Sequence, residues 1–130
     1  MEKITTEQAE FEVEQWLDFK KISQRKRANN KENIEILVSA IVDGQLILKE
    51  NQFVQKLLFP VNEITELKYV ARITVKQVRL QMQGVKSNDL NGMILGYACA
   101  LTGQVKNVLD ALDTEDYAIL QSIAIFFLGN

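Results

Sequence analysis

The strongest pattern in the sequence is an apolar helical stripe in the last third of the chain, between Asn88 and Leu128. Apolar side chains recur there at intervals of three and four residues, which is the spacing of one face of a helix. The first part of the stripe comprises Leu90, Met93, Ile94, Tyr97, Ala98 and Leu101. Such a face has to be buried, so we expect this segment to organise the core and the earlier segments to pack against it.

Turn and capping residues divide this region into helices. Ser87 is a candidate N-cap for the first helix, and Gly103 is expected to end it. Asp113 is a candidate N-cap for the last helix, with Asp116 placed to serve the same helix N-terminus. Apolar residues cover most of the last helix as far as Leu128. That helix is therefore either engulfed by the core or continued into a partner interface.

A stripe of small residues runs along the first of these helices, at Gly92, Gly96 and Ala100. A glycine inside a helix costs about 1 kcal/mol relative to alanine, so its repetition indicates the close approach of another backbone. Tight packing within the domain is the interpretation we favour. A phosphate-binding loop is excluded, because the glycines lie within a predicted helix.

The first predicted helix carries apolar residues on two faces. Thr5 is its candidate N-cap, and it is expected to extend to about Arg27. One face carries Ala9, Val13, Trp16 and Leu17, and the opposite face carries Phe11, Phe19 and Ile22. One core cannot bury both faces. Either the helix lies between two layers of its own domain or bends near Trp16, or one aromatic face contacts another chain.

A basic run without an intervening acid lies between Asp18 and Glu32. It comprises Lys20, Lys21, Arg25, Lys26, Arg27 and Lys31. Nucleic-acid binding through this run would make the protein a small DNA-binding regulator. We favour a simpler interpretation, because cations near a helix C-terminus complement its dipole and a solvated charged face needs no ligand. The net charge of -2 also argues against a broad nucleic-acid footprint, so we do not expect nucleic acid as a partner.

The middle of the chain predicts a second helix and a small sheet. Asn30 is a candidate N-cap for a helix that pairs with the first as a helical hairpin over about 5–43. Extended segments at 45–49 and 53–59 form a strand hairpin, which Pro60 limits because proline cannot donate to a sheet ladder. A third alternating segment follows at about 66–73, completing a hairpin-and-strand region over about 45–73.

The remainder, about 74–128, is predicted to be a helical unit. Thr74 and Gln77 have capping-box spacing and open a short helix that Gly84 can end. The predicted fold class is α+β, mainly helical, with about six helices including short ones and a small two- to three-stranded antiparallel sheet. Because 130 residues suit one hydrophobic core, we expect a single domain over 1–130.

The chain lacks the residues that most enzyme sites require. It contains no histidine, which removes the usual general base, the usual partner of a serine or cysteine nucleophile and the commonest zinc ligand. The densest acidic group comprises Asp110, Asp113, Glu115 and Asp116. Its spacing does not match an EF-hand loop, and helix capping accounts for two of its members. We therefore expect no enzyme activity, no catalytic residue, no cofactor and no metal site.

The single cysteine and the hydropathy indicate the compartment. Cys99 has no intramolecular disulfide partner, as is usual for a protein in a reducing cytoplasm. The N-terminal segment lacks the apolar stretch of a signal peptide, and no apolar run approaches the ~18 to 20 residues that span a bilayer. We expect a cytoplasmic protein without a membrane partner.

Residues 57–128 contain a series of short motifs in a recognisable order. They are Phe-Pro-Val at 59–61, Ile-Thr-Glu-Leu-Lys-Tyr-Val-Ala at 64–71, Thr-Val-Lys-Gln-Val at 74–78, Ala-Cys-Ala-Leu-Thr-Gly at 98–103 and Leu-Asp-Ala-Leu-Asp-Thr-Glu-Asp-Tyr-Ala-Ile-Leu-Gln at 109–121. In order and spacing this series resembles the tail assembly chaperones of long-tailed bacteriophages, in particular the Mu-type group.

The resemblance implies a non-catalytic protein of the infected or lysogenic host bacterial cytoplasm. Its expected partner is the tape measure protein, which such chaperones keep soluble until tail tube subunits polymerise around it. The resemblance further implies a homo-oligomer, contact with the tail tube protein, and a frameshift-extended form made by ribosomal slippage near the codons for 128–130. The alternative from another class is a structural tail or neck protein that stays in the virion.

The residues that would contact the client or another copy come from the apolar pattern and not from the family. The first 55 or so residues lie outside the resemblance, and the C-terminal end is more apolar than a one-sided helix requires. The candidate contact residues are Phe11, Trp16, Phe19, Ile22, Phe126, Phe127 and Leu128.

Overall fold

Three helices, a three-stranded sheet and four further helices follow one another along the chain. The computed structural model describes residues 4–128; Gly129 and Asn130, near which the frameshift is expected, lie outside them. The elements are α1 (Thr6–Phe19), α2 (Gln24–Asn29), α3 (Lys31–Val42), β1 (Leu46–Lys49), β2 (Gln52–Val61), β3 (Ile64–Lys68), α4 (Val75–Gln81), α5 (Leu90–Thr102), α6 (Lys106–Asp110) and α7 (Thr114–Ala124). The predicted α+β, mainly helical class is confirmed, with seven helices in the described part instead of about six.

The first helix is shorter than predicted. Thr5 caps α1 by accepting a hydrogen bond from the Gln8 amide at 3.1 Å, as expected. The helix ends at Phe19 instead of about Arg27, because Lys21 adopts a left-handed conformation with φ of 58°. Ser23 then caps α2 by accepting from the Lys26 amide at 3.1 Å. The predicted two-helix hairpin is therefore a three-helix segment in which α1 packs against α3.

Asn30 occupies the cap position of α3 without capping it through its side chain. Its amide group donates to the carbonyl oxygen of Lys26 at 2.8 Å, and its carbonyl oxygen Oδ1 accepts from Asn33 at 3.1 Å. These bonds connect the end of α2 to the start of α3. The two helices follow each other without a loop between them for that reason.

The sheet is antiparallel with strand order β1-β2-β3. β2 continues through Pro60 to Val61, so the prediction that Pro60 limits the strand is wrong. Its missing amide is tolerated because the β2–β3 register is interrupted between Lys56 and Val61.

β3 ends at Lys68, earlier than the predicted limit near residue 73. The reason is that the Val70 amide donates to the carbonyl oxygen of Leu101 in α5 at 2.9 Å instead of continuing the ladder.

The helical unit after the sheet largely follows the predicted caps. Thr74 and Gln77 form a complete capping box at the start of α4, and Gly103 ends α5 in a left-handed conformation with φ of 75°. Ser87 is not the N-cap of α5. Asp89 takes that position, and its carboxylate accepts from the Gly92 amide at 2.9 Å.

Close packing between α4 and α5 explains one glycine of the small-residue stripe. A Cβ atom at Gly96 would lie 2.6 Å from the sulfur of Met82 and 3.1 Å from the carbonyl oxygen of Gln81. The end of α4 therefore approaches the α5 backbone at this point. This is the intramolecular packing that the sequence favoured.

The chain leaves the helical path before its C-terminal end. α7 ends at Ala124 and not at Leu128, and the chain continues through a turn. The turn directs Phe126 into the core, where its ring meets Trp16 edge to face with centroids 5.8 Å apart. Phe53 of β2 lies on another side of Trp16 at 4.8 Å. The core thus joins the sheet, the first helix and the chain end around one indole.

A buried carboxylate fastens α7 to the sheet. Asp113 caps α7 as predicted, whereas Asp116 accepts hydrogen bonds from the amides of Leu58 and Phe59 at 2.9 and 3.1 Å and is fully buried. Asp116 lies in the first turn of α7, as predicted, but its carboxylate accepts from amides of the sheet and not from those of its own helix. Its backbone oxygen also accepts from Gln55, whose side-chain oxygen accepts from the Tyr69 hydroxyl at 2.6 Å.

Replacing this carboxylate by an amide should destabilise the fold. In Asp116→Asn, one of the two carboxylate oxygens that accept from the Leu58 and Phe59 amides becomes an NH₂ group, which can only donate. One of the two backbone amides then has no partner, and leaving a buried amide unpaired costs about 1–3 kcal/mol. Urea denaturation should show that loss in the free energy of unfolding. The control is Asp113→Asn, which keeps a good N-cap and should change stability by less than about 0.5 kcal/mol. Equal effects of the two substitutions would contradict the role given to Asp116.

Candidate interaction surface

Two of the seven predicted contact residues are core residues. Trp16 is 1% exposed and Phe126 is 2% exposed, and each packs against the other. Their prediction as contact residues is therefore wrong. The helical periodicity placed Trp16 on one of two apolar faces without showing which was buried, and Phe126 turns inward because α7 ends two residues before it.

The other five predicted residues lie at or near the surface. Phe11 is 60% and Phe19 39% exposed. Ile22, Phe127 and Leu128 are half-buried against the core. Phe19 and Phe127 line the same cavity, although they come from opposite ends of the chain. The structure thus brings the N-terminal and C-terminal candidates together at one place.

This cavity belongs to a longer groove, which we call the basic groove. It consists of three adjoining cavities of about 740, 240 and 530 Å³. The first two share Val78 and Tyr97, and the second and third share Ile73 and Phe127, so the three are continuous. The groove runs between α2, α4, α5 and the end of the described chain.

Apolar side chains form the floor of the basic groove and part of its edge. The floor includes Val78, Met82, Met93, Tyr97, Phe127 and Leu128. At the edge, Val75 is 73% and Leu90 54% exposed. Both are the first residues of helices, α4 and α5. The sequence pattern marked Leu90 as the first residue of the apolar stripe, but it did not mark Val75, because a search for continuous helical faces gives little weight to a single terminal residue.

Basic side chains surround this apolar floor. They are Lys20, Lys21, Arg25, Lys26, Arg72 and Arg79, and no acidic residue lines the three cavities. Four of them belong to the basic run of the sequence, whereas Arg72 and Arg79 are brought in from later segments. The cations therefore border an apolar surface. The interpretation favoured from the sequence was a charged face exposed only to solvent.

Arg27, in the same basic run, has a structural role. It is 8% exposed, and its guanidinium lies 2.8 Å from both Glu14 and Asp18 of α1. Its Nε atom donates to the carbonyl oxygen of Ile22 at 3.0 Å. Arg27 thus holds α2 against α1 and does not face the groove.

Two lysines hold Phe127 and Leu128 in the groove. The ammonium of Lys20 lies 3.3 Å from the centroid of the Phe127 ring, and that of Lys26 donates to the carbonyl oxygen of Leu128 at 2.7 Å. The face of Phe127 stabilises the charged lysine. Burial acts in the opposite direction and, with the charges of Lys26 and Arg72, lowers the pKa of Lys20 to about 8.

Two other grooves carry the opposite charge. One, of about 810 Å³, lies beside Phe11 and Phe19 and is lined by Glu12, Asp18 and Glu50. The second, of about 560 Å³, is lined by four acids, Glu32, Glu35, Asp43 and Glu115. Neither has a basic residue in its lining. The linings of these cavities therefore differ in charge, with cations in the basic groove and acids in the other two.

Within residues 4–128 the structure holds no cluster of three or more acidic or cysteine side chains arranged to bind a metal ion. None of the helices described is both long and apolar enough to cross a membrane. Cys99 is buried, and its burial raises the pKa of its thiol. The basic groove is the candidate interaction surface.

Core and surface aromatics should respond differently to truncation. Trp16→Ala removes a buried indole packed between Phe53 and Phe126, which should lower the free energy of unfolding by about 3–5 kcal/mol. Phe11→Ala, on the exposed face of the same helix, should change it by less than about 0.5 kcal/mol. Chemical denaturation measures both values. A similar cost for the two variants would place Phe11 in the core and contradict the assignment.

The lowered pKa of Lys20 makes stability dependent on alkaline pH. Between about pH 8 and the ordinary lysine pKa of 10.5, the unfolded chain holds a proton on Lys20 that the folded chain has lost. Between these pH values the free energy of unfolding of the wild type should therefore rise relative to that of Lys20→Met. Below about pH 8 the difference in free energy of unfolding between the two proteins should be constant. Denaturation curves at several pH values test this. Lys21→Met, which removes a neighbouring exposed ammonium, is the control, and parallel profiles for wild type and Lys20→Met would contradict the prediction.

Comparison with known proteins does not indicate what this protein does. No family model, curated protein or solved structure matches this chain. What the protein does is therefore inferred from the basic groove and from the motifs of residues 57–128.

Proposed function

We propose that this protein is a non-catalytic tail assembly chaperone of a long-tailed bacteriophage. It binds the tape measure protein in the host cytoplasm and keeps it soluble while the tail tube assembles. The observation that carries the proposal is the continuous apolar floor of the basic groove, with Val75 and Leu90 exposed at its edge. Exposed apolar surface of this kind is typical of interaction sites.

A helix is the form of client that suits such a groove. A long helical protein with uncovered apolar faces aggregates, and a groove can cover such a face by accepting side chains at helical spacing. Met82 and Met93 in the floor have flexible, polarizable side chains that adapt to different neighbours. This adaptability supports the binding of successive segments that differ in sequence.

One motif of the resemblance, at residues 74–78, lines the groove, and another, at residues 98–103, ends a helix that contributes to it. Thr74 and Gln77 start α4, which forms one wall. Gly103 ends α5, which supplies Met93 and Tyr97 to the floor. The motif at 74–78 thus supplies Val75 and Val78 to the groove, whereas Met82, Met93, Tyr97, Phe127 and Leu128 of its floor lie outside the motifs.

Acidic substitutions at the groove edge should abolish the chaperone activity without unfolding the protein. Val75→Glu combined with Leu90→Glu places charges at two exposed first positions of helices, where negative charge is favourable. On co-expression with the protein encoded directly downstream, expected to be the tape measure protein, wild type should keep that client in the supernatant and the double variant should not. Client solubility is read by centrifugation and gel densitometry, with circular dichroism of the variant as the folding check.

Val105→Glu is the matched control, since Val105 is 65% exposed and lies outside the groove. A second variant, Phe11→Ser with Phe19→Ser, tests the N-terminal candidates. If client solubility is the same with and without wild-type protein, the proposed function is wrong. Mass spectrometry of purified virions separates the chaperone from a structural tail or neck protein, because the chaperone should be missing from the particle.

A further inference from the structure

We propose that the segment held in the basic groove is an amphipathic helix whose apolar stripe is flanked on both sides by Asp or Glu. This inference rests on the proposed function and specifies the chemistry of the client segment. It follows from the distribution of charge around the groove.

The groove cations are not neutralised by the protein itself. The chain has a net charge of -2, yet the lining of the groove contains six cations and no acid. In the part of the chain that the structure describes, the ion pairs are those of Arg27 with Glu14 and Asp18, and none involves a groove cation. A partner with carboxylates at the groove edges would supply the missing counter-charges.

The cations are placed on more than one side of the apolar floor. Arg25 and Lys26 lie on α2, while Arg79 lies on α4. Lys20 and Arg72 lie beside the cavity at the Phe127 end. A bound helix about 10–12 Å across would therefore meet cations along both flanks of its apolar stripe. One acidic flank would leave part of this charge without a partner.

The other two grooves argue for the same assignment. They carry acids and no cations, so a helix with acidic flanks would be repelled there and directed to the basic groove. A nucleic-acid strand also carries negative charge, but its affinity depends on phosphate contacts, whereas aliphatic side chains such as Met82, Met93 and Leu128 cover much of this floor. An acidic amphipathic helix matches both the cations and the floor.

Designed peptides test the inference with the full-length protein. Three fluorescein-labelled helical peptides would share one leucine stripe and differ only in their flanking residues, which are glutamate, glutamine or lysine. Fluorescence anisotropy should give the tightest binding for the glutamate peptide. A few exposed ion pairs correspond to a preference of about tenfold over the lysine peptide at low salt, and this preference should shrink as salt is raised.

Charge reversal locates the site. Arg25→Glu with Arg72→Glu changes two exposed side chains at opposite ends of the groove and should reduce the preference for the glutamate peptide over the lysine peptide, because four cations then remain against two introduced acids. Lys86→Glu with Lys106→Glu makes the same change in net charge at two exposed positions outside the groove and should leave the preference unchanged. The inference is overturned if the peptides bind equally, if the control pair has the same effect, or if single-stranded DNA of similar length binds more tightly than the glutamate peptide.

The results separate this inference from the proposed function. If the downstream client is kept soluble by wild type and by the Arg25→Glu, Arg72→Glu variant alike, the inference fails and the chaperone function stands. If the glutamate peptide binds as expected but the client precipitates with wild-type protein present, the function fails and the binding chemistry stands.

Discussion

The hydrogen bonds that the Leu58 and Phe59 amides of β2 donate to the Asp116 carboxylate hold α7 against the sheet. They form where the pairing of β2 with β3 is interrupted, so the carboxylate accepts from amides that the sheet leaves without partners. A buried charge is tolerated there because it is hydrogen bonded, and it fixes α7 against the sheet. Since residues 125–128 follow directly from α7, the same contact determines where these four residues lie.

The basic groove is consequently built from both ends of the chain. Phe127 packs against Trp16 at 6.0 Å between ring centroids and lies under the ammonium of Lys20, both from the N-terminal segment. The middle of the chain supplies Ile73 and Val78 to the same surface. No short segment contains this surface, so the groove forms only when segments far apart in the sequence are folded together. Partner binding at the groove would therefore stabilise the entire fold.

The features that could be predicted from the sequence depend on residues close to one another in the chain. The capping box of Thr74 and Gln77, the end of α5 at Gly103 and the strand hairpin are of this kind. The helix break at Lys21 was not predicted, because lysine, unlike glycine, is not a residue type that indicates a positive φ. The partners of Asp116 and the meeting of Arg72 with Lys20 depend on long-range packing, which periodicity does not report. For the same reason periodicity could not tell that Trp16 is buried while Phe11, on the same helix, is exposed.

The packing of α4 bears on how a bound segment could leave. Within the described chain, α4 buries none of its side chains, and it contacts α5 closely where Gly96 has no side chain to separate them. An element with so few buried apolar groups opens at a lower free-energy cost than the core around it. Local opening of α4 should therefore cost less free energy than unfolding of the core, and it would remove one wall of the groove. A chaperone of the proposed kind has to release its client when tube subunits arrive, and local opening of this helix would allow release without unfolding of the rest of the fold.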